Sequence, residues 1–129
     1  MDKRRLMDYR ALQREIAELR QERERLEAGM LGAPVSDGMP RTGGGDPTGE
    51  LAVTLAELDA MLTDRIRKAK SARMAIEEAI ASLESRERRL LRLRYVDGRK
   101  WRQVAQMMGY SEVRVKQLHR KALQLLEKR

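Results

Sequence analysis

Two long stretches of the chain repeat apolar residues at the spacing of helices that pack on other helices. In residues 2–28 one position of the repeat holds Tyr9, Ile16 and Arg23, and the other holds Leu12, Leu19 and Leu26. In residues 50–84 the two positions hold Leu55, Leu62, Ala69, Ile76 and Leu83, and Leu51, Leu58, Arg65, Ala72 and Ala79, with Ile66 and Ile80 widening the stripe. We predict a long amphipathic helix in each stretch, roughly 40 and 50 Å long.

Neither helix can bury its apolar stripe alone, so each needs a partner. The two can fold back on each other as an antiparallel hairpin, pair with a second chain, or do both in a four-helix bundle. We expect a homo-oligomer, because the stripes are long for so small a chain. The polar faces mix both charge signs, which argues against a helix that lies on a membrane surface.

Residues 29–49 are predicted to be a linker between the two helices. They contain 7 of the 9 glycines and all 3 prolines of the chain. Asp46 followed by Pro47 is a favourable start for the second helix. The run Gly43–Gly45 is not interpreted as a phosphate-binding loop, because no Lys-Ser or Lys-Thr follows it and no strand precedes it.

Residues 85–129 carry the pattern of a helix-turn-helix. Ala105 is the small residue that lets two crossing helices approach each other, and Gly109 suits the turn because glycine adopts positive φ freely. Val115 and Leu118 are three residues apart, so both point from the second helix onto the first. Two further core residues and a cap for the second helix complete the pattern, namely Val104, Met108 and Ser111.

The formal net charge of +8 is concentrated in this same part of the chain. Residues 85–129 carry 14 basic and 4 acidic side chains, whereas the rest of the chain is slightly acidic. A basic field confined to one small domain is typical of nucleic-acid binders. Arg99, Lys100 and Arg102 stand where the first helix begins, and there each opposes the helix dipole by roughly 0.3–1 kcal/mol. Contact with phosphate would explain their presence.

The second helix has an outer face that is suited to reading DNA. Val115, Leu118, Ala122 and Leu126 share its inner face, and the beginning of such a helix enters the major groove. On the outer face Gln117 is expected to contact adenine, Val113 a thymine methyl group, Lys116 guanine or phosphate, and Arg120 phosphate. A solvated amide at Gln117 and a stray apolar residue at Val113 are the alternative interpretations. The candidate DNA-binding residues are Arg99, Lys100, Arg102, Ser111, Glu112, Val113, Lys116, Gln117 and Arg120.

The segments LLRLRYVDG, VAQMMGYS and VRVKQLHRKALQLL resemble region four, the promoter-reading domain of bacterial sigma factors. The whole chain, with its long helices and Gly-rich loop, is similar to small phage-encoded regulators of the ArpU type. The resemblance implies a helix-turn-helix that binds DNA, and contact with host RNA polymerase. The chain departs from the region-four pattern at Glu112 and Val113, where Arg and Glu are usual, and in its three cations where a Thr cap and acidic residues are usual. These departures argue against the standard sigma-factor site.

Catalysis has no support in the sequence. The chain has no Cys and a single histidine, His119, so it offers no triad and no metal-ligand set. We expect no enzymatic activity, no cofactor and no metal. The apolar runs are too short to span a membrane, and the charged N-terminus is not a secretory signal, so a location in the cytoplasm of a bacterial host is expected.

The sequence thus predicts an all-α protein with a first helix in residues 1–28, a linker in 29–49, a second helix in 50–84 and a helix-turn-helix in 85–129. The function predicted is sequence-specific binding of double-stranded DNA in the transcriptional regulation of phage or prophage genes. Two alternatives stay open. One is a DNA-packaging initiation protein similar to small terminase subunits, and the other is an adaptor that docks on RNA polymerase or another regulator without touching DNA.

Overall fold

The structure, a computed structural model, describes residues 1–30 and 47–128. In these two ranges the chain is helical and has no strand, with α1 at Lys3–Met30, α2 at Pro47–Ile80, α3 at Ser85–Leu91, α4 at Trp101–Met108 and α5 at Glu112–Glu127. A π-helical turn, Arg92–Val96, follows α3 directly. The predicted all-α class, with a long helical segment before the helix-turn-helix, is confirmed. Most of the predicted linker, including its three consecutive glycines, lies outside the described residues.

The chain forms two compact units. Residues 14–67 form the first, called here the hairpin unit. Residues 1–13 and 68–129 form the second, called here the HTH unit, which contains α3, α4 and α5 together with one end of each long helix.

In the hairpin unit α1 and α2 run antiparallel. Arg23 Nε lies 2.5 Å from Asp59 Oδ1, and Arg65 Nε lies 2.6 Å from Glu15 Oε1. Of the two α1 residues, the one further along the chain thus pairs with the α2 residue that comes first, as in an antiparallel pair. The ion pairs are mostly exposed and add little stability, so the main contribution comes from the buried apolar residues of the two stripes, Ile16, Leu19, Leu58 and Leu62.

The two predicted stripes therefore meet within one chain. Arg23 and Arg65 occupy stripe positions, and each is half-buried with its guanidinium directed to an acid of the other helix. Ile66, which was expected to widen the second stripe, is 41% exposed. The hairpin covers the apolar stripes that were expected to join two chains. An oligomer would therefore have to form through other exposed residues.

The HTH unit has its own apolar core, to which both long helices contribute. Leu6 and Tyr9 of α1 are buried, as are Ile76 and Ile80 of α2. The short helices add Leu90, Leu91, Val104, Val115, Leu118, Ala122 and Leu126. The helix-turn-helix therefore belongs to one compact unit with the N-terminus of the chain.

A tight connection joins α2 to α3. Helix α2 ends at Ile80, and the N–H of Leu83 donates to the Ile80 carbonyl at 3.0 Å. The Arg88 guanidinium donates to the carbonyls of Ala81 and Leu83 at 3.3 and 3.0 Å. Leu83 is buried although it lies beyond the helix end. The predicted apolar stripe thus continues through the turn, while the helix itself stops before residue 84.

Candidate nucleic-acid interface

The turn between α4 and α5 has the left-handed glycine expected at Gly109, with φ 75° and ψ 28°. The N–H groups of Gly109 and Tyr110 donate to the carbonyls of Gln106 and Ala105 at 3.4 and 3.0 Å. A Cβ atom built at Gly109 would find no heavy atom within 4 Å. Glycine is therefore needed here for its backbone conformation and not for space.

The predicted core of the helix-turn-helix is also confirmed. The two crossing helices bury Val104 and Ala105 on one side of their contact and Val115 and Leu118 on the other. Met108 is only half-buried, so it closes the edge of this core.

Hydrogen bonds fix where each helix of the pair begins. Ser111 Oγ accepts from the Arg114 N–H at 3.1 Å, which confirms the predicted cap of α5. At the start of α4 the N–H of Lys100 donates to Gln103 Oε1 at 3.2 Å. The Lys100 ammonium takes no part in this cap, and Lys100 is exposed.

All nine residues predicted to contact DNA are exposed. Val113 is the most exposed large apolar side chain among the described residues, at 67%. On α5 the exposed Lys116, Gln117 and Arg120 lie on the side away from the buried Leu118 and Ala122. This geometry leaves one polar and cationic surface on α5, with an apolar side chain in its first turn.

The cations of this surface differ from several other arginines of the unit. Within residues 1–30 and 47–128, no ion pair holds any member of the predicted set Arg99, Lys100, Arg102, Lys116 and Arg120. By contrast Arg89 donates to the Met107 carbonyl at 3.1 Å, and Arg92 donates to Glu77 Oε2 at 2.6 Å. The Arg92 hydrogen bonds lower the pKa of Glu77. Some arginines of the HTH unit thus support the fold, whereas the five predicted DNA-contacting cations at the start of α4 and on α5 have no ion-pair partner among the described residues.

An aromatic cluster that the sequence analysis did not find holds α5 against the preceding elements. Tyr95 Oη lies 2.6 Å from His119 Nε2, and the His119 and Trp101 rings meet edge to face with their centres 4.7 Å apart. The Arg94 guanidinium lies 4.4 Å from the centre of the Trp101 ring. The one tryptophan, the one histidine and the tyrosine of RLRYV thus meet around the second turn of α5.

Histidine in this cluster is held neutral. Burial, followed by the charges of Lys3 and Arg94, lowers the pKa of His119 to about 4. Burial also raises the pKa of Tyr95, so its hydroxyl keeps its proton. The hydrogen bond between Tyr95 Oη and His119 Nε2 therefore joins two neutral groups. With 9% exposure, His119 lies at the edge of the core.

A buried carboxylate links α3 to α5. Glu87 is 1% exposed, and its Oε2 accepts from the Glu84 N–H at 3.2 Å at the start of α3. Its Oε1 lies 3.8 Å from Lys121 Nζ and has no hydrogen-bond donor among the described residues. This contact could not be predicted from the sequence, because a Glu in RERR has the pattern of one more solvated charge.

Comparison with known families agrees with this geometry. The family model described as Sigma-70, region 4, matches residues 79–128, from the last turn of α2 through α5. The end of the chain is therefore a sigma region-four-like helix-turn-helix. No curated protein and no solved structure matches the chain.

The described residues contain neither a metal-binding cluster nor a membrane-spanning helix. No three His, Cys, Asp or Glu side chains of residues 1–30 and 47–128 are grouped so that they could hold a metal ion. Over the same residues no helix is long and apolar enough to cross a membrane.

Proposed function

We propose that this protein binds double-stranded DNA sequence-specifically through α5 and regulates transcription. The observation that carries the proposal is the exposed surface of α5, where Lys116, Gln117 and Arg120 have no partner among the described residues while the opposite side is buried. Helix-turn-helix proteins place the start of the second helix in the major groove. The match to sigma-70 region 4 over this same segment supports the assignment.

The roles of the α5 residues follow from their positions along the helix. Gln117 lies in the first two turns and has the amide that pairs with adenine N6 and N7, and Val113 offers an apolar contact to a thymine methyl group. Lys116 reaches a guanine or a phosphate. Arg120, a turn further on, contacts phosphate. Ser111 caps the start of the helix. Glu112 is the first residue of α5 and lies at the groove.

The start of α4 supplies the second group of contacts. Arg99, Lys100 and Arg102 are exposed beside the first turn of this helix, which points toward the DNA backbone when α5 lies in the groove. Three cations at a helix start destabilise the isolated fold slightly. Phosphate contact offsets that cost, and it binds every DNA sequence alike.

The biological setting of the proposal rests on resemblance. Similarity to phage-encoded regulators implies control of phage or prophage genes, and similarity to region four implies contact with RNA polymerase. The residues at the start of α5 differ from the usual sigma pattern, so the protein is expected to read a site of its own.

Selection of binding sequences from random DNA, followed by footprinting on the chain's own genome, tests the proposal. The expected result is one enriched motif and a protected site upstream of a transcribed gene. Enrichment of no motif would overturn sequence-specific binding. A protected site only at a packaging start would overturn the regulatory role.

We also infer self-association, for which the support is three exposed apolar side chains in the hairpin unit, Val53, Met61 and Ile66. Light scattering of the full chain at tens of micromolar should give a mass above that of the 14.9 kDa chain. A single species at the chain mass would contradict it.

A further inference from the structure

The first turns of α1 lie beside the aromatic cluster and α5. The amino group of Met1 donates to the carbonyl of Leu126, near the end of α5, at 3.4 Å. Lys3 is close enough to His119 that its charge lowers the pKa of the imidazole, a smaller effect than burial. The N-terminus of the chain is therefore part of the surface around α5, although no sequence motif connects the two.

A second cation of α1 meets the stretch that leads into α4. Arg94 is held in place by the Trp101 ring and by donating to the Arg99 carbonyl at 2.9 Å. Burial lowers the pKa of Arg94, and the positive charge of the nearby Arg10 lowers it further. Arg10 and Arg94 are thus like charges brought together by the fold.

No acid of the described chain compensates this cluster. Lys3, Arg10, Arg94 and Arg99 take part in no ion pair within residues 1–30 and 47–128. Adjacent like charges without a counter-charge destabilise the free protein, and a bound anion removes that repulsion. The opposite arrangement is seen elsewhere on the same helices, where Arg23 and Arg65 are each placed against acids.

We propose that Lys3 and Arg10 of α1, together with Arg94 and Arg99, bind backbone phosphates of DNA beside the start of α4. DNA is the expected ligand because this cluster adjoins the surface already proposed to bind it: Arg99 immediately precedes Lys100 in the group proposed to contact phosphate. Duplex DNA carries about one negative charge per 1.7 Å of its axis, so a broader cationic surface meets further phosphates. The inference rests on the proposed DNA binding and extends its surface onto α1.

The experiment compares double variants of the full chain that remove equal charge from α1. Lys3→Gln with Arg10→Gln removes the proposed contacts, and Arg20→Gln with Arg25→Gln removes two exposed arginines of the hairpin unit. The affinity of each protein for one duplex of random sequence is measured across a range of salt concentrations. Circular dichroism and thermal unfolding check that each variant is folded.

The Lys3/Arg10 variant should lose about 1.8 from the magnitude of the slope of log K against log salt, and tens-fold in affinity near 0.1 M salt. The Arg20/Arg25 variant should keep the slope of the original protein. A third variant, Lys3→Arg with Arg10→Lys, keeps both charges and should retain the slope of the original protein. It separates lost phosphate contacts from lost structure.

Two results would overturn the inference while leaving the proposed function standing. One is an unchanged salt slope in the Lys3/Arg10 variant. If that variant instead lost binding to an acidic protein such as polymerase, the cluster would bind protein and not DNA. The other is an equal loss in both double variants, which would indicate a general charge effect. A starting protein whose DNA affinity does not depend on salt would instead overturn the proposed DNA binding itself, and the extension with it.

Discussion

Tyr95 Oη and His119 Nε2 form a hydrogen bond of 2.6 Å, which joins the π-helical turn to the second turn of α5. Both side chains are buried, so the hydrogen bond is shielded from competing water. Trp101 packs edge to face on the same imidazole. The orientation of α5 thus depends on a neutral histidine whose side chain points away from the surface proposed to bind DNA.

Protonation of His119 should destabilise the fold. Its pKa is about 4 in the folded chain, against about 6.5 when unfolded. As the pH falls through this window, the unfolded chain takes up a proton that the folded chain does not, so the free energy of unfolding decreases; above about pH 6.5 the contribution is complete. Urea denaturation should show a loss of about 1–2 kcal/mol between pH 7 and pH 5. His119→Gln serves as control and should be flatter in this window; an equal dependence in both proteins would refute the role of His119.

Substitution of Gly109 should destabilise the turn through backbone strain alone. Gly109→Ala places a Cβ at φ 75° without any clash. The expected loss is about 1–2 kcal/mol in the free energy of unfolding. Gly29→Ala, in the last turn of α1 and also without a contact, is the matched control and should be neutral or slightly stabilising. Equal effects at the two glycines would mean that the positive φ is not what the turn requires.

The Glu87 carboxylate and Lys121 should be energetically coupled. Lys121→Met leaves the buried Glu87 with less compensation and should cost about 1 kcal/mol. In a Glu87→Gln background the same change should cost clearly less, because no charge remains to be compensated. Thermal unfolding of the four proteins of this cycle measures the coupling, and Lys128→Met controls for loss of one exposed cation. Additive effects would show that the 3.8 Å approach carries no energy.

Periodicity and turn chemistry were sufficient to predict much of this fold. The stripes predicted the long helices, and Gly109, Ser111 and the Ala105–Leu118 spacing predicted the helix-turn-helix, because each of these signals is local along the chain. The orientation of the hairpin was left open, since heptad spacing is the same for parallel and antiparallel partners. The ion pairs Arg23–Asp59 and Glu15–Arg65 show that the two helices run antiparallel.

Contacts between distant segments could not be predicted in this way. Tyr95, Trp101 and His119 are scattered over three elements, and nothing in their spacing shows that they meet. The same holds for Lys3 and Arg10, which in the sequence look like solvated charges of a balanced helix. The surface of α5, by contrast, followed directly from helical angles once the buried side was known.

The most direct test of the account compares Gln117→Ala with Arg120→Ala on a selected binding site and on random DNA. Gln117→Ala should cost about 1–3 kcal/mol at the selected site, relax the preference at one base pair and leave random DNA nearly unaffected. Arg120→Ala should weaken both DNAs alike and lower the magnitude of the salt slope by about one. Equal losses on selected and random DNA for both variants would contradict the placement of α5 in the major groove.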